Sequence, residues 1–255
     1  MFRKVVTALL ALLLLAGCAV VDVSMTETAL PPSQEGTEYS PYFCLGGLLT
    51  REFLSEMNDS KHAKSGEYMA LPLYLAFTSR VGILVTSPVS ARSEVTAKAY
   101  LSPVLNLGAK LGYKQVLWQG SAPAPSGESP VRSCLALQPA LNVMVPLVMD
   151  DEELETGGRQ LLAGAECLLM YSRYRNVESI TTYGLRLGWQ KEWGYKSGDL
   201  TLREDIPCLS LAANRSFPSR NGLGLIPGIG VTVQPDEAGL PVLLPFFNLG
   251  LTFPQ

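Results

Sequence analysis

The 255-residue chain is 47% hydrophobic and only 17% charged, with a formal net charge of −3 that already includes Arg3 and Lys4. Soluble domains usually carry about 25% charged residues, and a nucleic-acid binder would show a basic stripe that is absent here. The length admits one large β domain or two small ones.

The chain starts with Arg3 and Lys4, continues through an apolar run from Val5 to Leu15, and closes on Leu15-Ala16-Gly17-Cys18. This is the layout of a bacterial secretory leader. Its apolar run is well short of the ~20 residues a spanning helix needs. The closing tetrapeptide resembles the lipobox of bacterial lipoproteins. That resemblance implies cleavage before Cys18 and diacylglycerol on its sulfur, usually with an N-acyl chain. Several acyl chains together hold a protein stably on a bilayer, whereas one is marginal. By analogy with diderm lipoproteins, Ala19 in place of an aspartate directs the product to the outer membrane.

Residues 18–41 form the expected tether. Met25–Pro41 is polar and broken by Pro31 and Pro32, a composition that predicts a flexible spacer. Residues 42–66 read as a short helix or plug-like segment, because Leu49, Phe53, Leu54 and Met57 lie near helical spacing and Thr50 is a suitable cap.

From Glu67 the period changes to two. Leu105, Leu107, Ala109, Leu111 and Tyr113 alternate with Asn106, Gly108, Lys110 and Gly112. Tyr183, Leu185, Leu187 and Trp189 alternate with Gly184, Arg186, Gly188 and Gln190. Such alternation marks strands with one apolar face. Strands are expected over 67–77, 81–88, 97–117, 131–148, 159–174, 179–195, 206–216, 221–234 and 240–253. The third contains Pro103, a residue awkward inside a ladder, and reads either as two pieces or as a helical turn followed by a strand. The fold expected for 67–255 is an all-β antiparallel meander barrel of about eight to ten strands, since closure removes exposed edges.

Long polar connections at Asp150–Gly158 and Lys196–Asp205 alternate with short ones at Asn176–Glu178 and Phe217–Arg220, as in outer-membrane barrels. The last stretch, Leu243–Phe253, resembles the final strand of such a barrel, although Pro254 and Gln255 follow the aromatic. Two arrangements fit the alternation. In a membrane barrel the Leu/Val/Tyr/Trp face meets lipid and the Gly, Asn, Lys, Arg and Gln face fills the lumen. In a soluble barrel or sandwich those faces exchange roles. Repeated glycine favours the first, because glycine weakens an exposed strand but makes room in a narrow interior.

Chemistry-bearing residues are few. Cys44, Cys134, Cys167 and Cys208 remain after Cys18, and a Cys44–Cys134 disulfide is one candidate pairing in an oxidising compartment. Asp150, Asp151, Glu152, Glu153 and Glu155 form an acidic cluster able to bind a divalent cation weakly, without the spacing of a calcium loop. His62, the single histidine, lies in a polar segment and reads as a solvated side chain. Lys110, Glu166 and Arg186 share the even register and are expected to form a lumenal ion-pair network. No metal site, cofactor or catalytic constellation is expected. The functional expectation is an outer-membrane lipoprotein with an envelope-structural or ligand-binding barrel, its partners being membrane lipid through Cys18 and envelope lipids or proteins. The alternative is a lipid-tethered soluble periplasmic barrel or sandwich that binds a lipid or a protein.

Overall fold

A computed structural model describes residues 22–32, 36–46, 78–102, 106–122, 129–146, 159–175, 179–196, 199–217, 223–235 and 239–253. Cys18, His62, the expected strand 67–77 and the acidic cluster Asp150, Asp151, Glu152, Glu153 and Glu155 lie outside these residues.

Ten strands form one closed barrel: β1 (Glu38–Leu45), β2 (Arg80–Ser90), β3 (Ser93–Leu101), β4 (Asn106–Ala122), β5 (Val131–Pro146), β6 (Arg159–Tyr174), β7 (Ile180–Lys196), β8 (Asp199–Ser216), β9 (Gly224–Pro235) and β10 (Pro241–Thr252). Each pairs antiparallel with its sequence neighbour, and β1 closes the ring on β10 with Tyr42 opposite Gly250. The all-β antiparallel barrel expected from the period-two alternation is therefore what the chain forms. No helix occurs among the described residues.

Two local expectations change and a third is settled. Residues 42–45, assigned to a helical segment, belong to β1, which begins within the expected tether. Its alternating burial shows why: Tyr42 and Cys44 point inward while Tyr39 and Phe43 point outward, a strand pattern too short to stand out from the polar residues before it. The stretch 97–117 takes the two-piece form of its two readings, as β3 and β4, joined at a corner where the Ser102 N–H donates to the Asn106 carbonyl at 3.0 Å. The loop expected over Lys196–Asp205 is mostly strand, since β8 starts at Asp199. Register slips at Glu192/Trp193, and a bulge of this kind breaks the alternation that a period-two reading relies on.

The distribution of side chains decides between the two arrangements left open by the sequence. Outward residues are apolar: Leu141 is 66% exposed, Leu187 60% and Ile229 60%. Inward residues are polar or charged, with Gln190 at 0%, Arg186 at 2% and Lys110 at 4%. A soluble barrel would bury the leucines and expose the charges. Outward aromatics include Tyr39 near the start of β1, Tyr113 and Trp118 in β4, Tyr171 near the end of β6, Tyr183 near the start of β7 and Phe253 beyond β10. These lie toward the mouth at which β10 ends, where aromatics would meet a membrane interface, whereas Phe43, Trp189 and Phe247 are exposed farther along the wall.

Candidate functional site

Among the described residues polar chemistry concentrates in the lumen, and the strands position it by their pleat. Even-numbered residues of β3, β4, β6 and β7 turn inward, so Lys98, Lys110, Lys114, Glu166 and Arg186 converge on the axis. The anticipated network is present: Lys110 Nζ lies 2.9 Å and Arg186 Nε 3.2 Å from Glu166 Oε1. Near the mouth at which β10 ends, Lys114 Nζ is paired with Glu94 at 2.6 Å.

Lumenal glycines stand directly across the ladder from bulky inward side chains. Tyr42 faces Gly82, Tyr100 faces Gly108 and Phe246 faces Gly230. A Cβ at any of these glycines would collide with the ring opposite. The glycine-rich face is thus the complement of three lumenal aromatics.

The lumen holds more than wall side chains. Residues 22–30, expected to be part of a flexible tether, run through it; Asp22, Val23, Ser24, Met25 and Ala29 are each at most 1% exposed. Eight strands enclose a space just filled by side chains, and diameter grows with strand number. Ten leave room for an additional strand of chain. Asp22 lies against Arg80, the first residue of β2, and Tyr100, near the end of β3, whereas the Ala29 N–H donates to Ser172 Oγ near the end of β6 at 2.8 Å. The segment therefore enters at the mouth opposite the end of β10 and travels toward the mouth where β1 begins.

The wall grips this segment mainly by its backbone. Lys110 Nζ donates to the Asp22 carbonyl at 2.7 Å, and Lys98 Nζ and Arg186 NH2 both donate to the Ser24 carbonyl at 3.0 Å. Asn214 Nδ2 donates to the carbonyls of Met25 at 2.9 Å and Glu27 at 3.0 Å, Asn248 Nδ2 to Met25 at 3.2 Å, and Lys114 Nζ to Thr28 at 3.1 Å. These bonds supply the buried carbonyls that a chain without regular secondary structure would otherwise leave unsatisfied. Side chains add two anchors. Asp22 accepts from Tyr42 Oη at 2.8 Å and pairs with Arg80 at 3.4 Å, and Glu27 pairs with Lys98 at 2.9 Å. Met25 packs against Gly184, where a Cβ would meet its sulfur.

The Cys44–Cys134 pairing is not formed. All four described cysteines are free thiols. Cys44 lies in one apolar cluster with Val23, Tyr42 and Phe246, and Cys134 in another with Met25, Ala29 and Met170. Cys44 Sγ instead accepts from Arg80 NH2 at 3.3 Å. Shared even parity placed both cysteines inside the barrel, but parity carries no information on depth or on position around the ring. The lumenal segment was missed because prolines and polar residues mark chain that cannot build a core of its own, and the strands provide one around it.

An apolar wall outside, a polar lumen inside and a closed antiparallel meander are together the features of β-barrels built to sit in a bilayer. No known protein family matches the chain, and no curated protein matches it. Among solved structures it is similar to the translocator domain of autotransporter NalP from Neisseria meningitidis, with 9% identity and a TM-score of 0.30 over 88% of this chain and 90% of that one. A second similar chain is described as "Unveiling the Mechanism Behind the in-meso Crystallization of Membrane Proteins", with 12% identity and a TM-score of 0.30 over 86% and 83% of the two chains.

Proposed function

We propose that the protein is a lipid-anchored β-barrel of the bacterial outer membrane with an envelope-structural role, spanning the bilayer through its ten strands and carrying acyl chains on Cys18. The observation that supports this reading is the reversal of polarity across the wall, with leucines outside and lysines, arginines and glutamates inside. Exposed leucine and isoleucine on β2 to β10 would aggregate in water, and the charges enclosed by such a wall are paired with one another and with the threaded segment. The soluble periplasmic alternative requires the opposite polarity. No catalytic step is assigned.

Two measurements test the two parts separately. Metabolic labelling with a radioactive fatty acid is expected to mark the wild type and to leave Cys18→Ser unlabelled; equal label on both would remove the anchor. The unlipidated barrel is expected to stay monomeric only in detergent and to migrate faster on a gel before heating than after. Monomeric behaviour in plain buffer would remove the membrane assignment.

A further inference from the structure

The threaded segment matches the wall in charge as well as in shape. Among the described residues, the buried charged groups of the wall are five cations, Arg80, Lys98, Lys110, Lys114 and Arg186, and three carboxylates, Glu94, Glu166 and Glu192. The wall alone therefore carries an excess of two positive charges. The segment brings two buried carboxylates, Asp22 and Glu27, and it sets them against Arg80 and Lys98. Glu94 and Glu166 are committed to Lys114, Lys110 and Arg186 within the wall. The excess thus falls on the path that the segment fills.

We propose that the lumen is an anion-selective pore, closed by the chain's own Asp22–Leu30 segment. With the segment withdrawn, Arg80 and Lys98 lose their carboxylate partners. Lys98, Lys110, Lys114, Arg186, Asn214 and Asn248 lose the carbonyls to which they donate. What remains is a passage lined by N–H donors and net positive charge, which attracts and solvates small anions and repels cations. Gln190 already turns amide atoms with no partner among the described residues into this lumen, groups that water in an open passage would satisfy. The wall holds the segment chiefly through main-chain carbonyls, a contact that any extended chain offers. The two carboxylates supply the charge specificity of the fit.

This inference rests on the membrane-spanning reading, and the experiment separates the two. Full-length protein is reconstituted into phospholipid vesicles, insertion is checked by flotation and heat-shifted gel mobility, and single-channel currents are recorded in a potassium chloride gradient. Wild type is expected to be closed. Asp22→Asn/Glu27→Gln is expected to raise the open probability at least about tenfold, since it removes the two carboxylates that pair with Arg80 and Lys98, with a reversal potential on the chloride side. A protease site inserted between Pro32 and Gly36 gives a second route that does not alter the lumen: cutting after reconstitution frees the segment from β1 and is expected to open the same chloride-selective conductance. Protein that fails to float with the vesicles overturns the membrane reading and the pore together. Inserted protein that stays closed after cutting, that prefers potassium, or that conducts equally before and after cutting overturns the pore alone.

Discussion

Leu187 and Gly188 are neighbours in β7 that face opposite media. Leu187 is 60% exposed on the outer wall, whereas a Cβ on Gly188 would lie 2.7 Å from Cys208 Sγ and 3.7 Å from Glu166 Cβ. Gly188→Lys forces a long chain into a filled lumen and is expected to cost at least about 1 to 3 kcal/mol. In the proposed membrane-spanning barrel, Leu187→Lys turns a charge toward lipid and is expected to cost about 2 to 4 kcal/mol. Urea unfolding in lipid vesicles measures both, and a neutral Gly188→Lys would mean that this face meets water. Glu166 is the more sensitive position. It is the carboxylate shared by Lys110 and Arg186, all three buried, and Glu166→Gln leaves two cations facing each other in a dry lumen. A loss of about 3 to 5 kcal/mol in the same assay is expected, the usual result of breaking a buried pair on one side only.

The threaded segment behaves as an element although it has no regular secondary structure. Its stability is borrowed from the wall, through carbonyls bonded to Lys98, Lys110, Lys114, Arg186, Asn214 and Asn248. A flexible tether containing Val23, Met25 and Leu30 would be cut readily by a protease selective for apolar residues. Inside the barrel these bonds are out of reach, and limited proteolysis of the folded protein is expected to leave 22–30 intact. Rapid cleavage there, mapped by mass spectrometry, would return the segment to the solvent. The strands show the reverse dependence. Their alternation is strong enough to be read locally wherever a strand is long and regular, as in β6, β7 and β9, and it fades at the β3–β4 corner, at the Glu192/Trp193 bulge and in the eight-residue β1.

Taken as a whole, the molecule is a wall whose outer face needs lipid and whose inner face needs a filler. Ring closure through β1 and β10 leaves no open edge strand among the ten, which is the arrangement a bilayer requires of a sheet. Among the described residues, the buried charges balance when the segment is counted with the wall.

Local order was legible in the amino-acid sequence because pleating is a near-neighbour property: residues two apart share a face whatever the rest of the chain does. Hence the β class, most strands, the even-register Lys110–Glu166–Arg186 group and the purpose of the lumenal glycines could be read directly. Polarity patterns are symmetric under exchange of inside and outside, so alternation alone left membrane and soluble barrels both open until curvature turned the leucines outward. The role of Asp22–Leu30 was hidden for a different reason. Its partners lie between 20 and 223 residues away in the chain, and a segment with no core of its own is ordered only by a cavity that exists once all ten strands have closed.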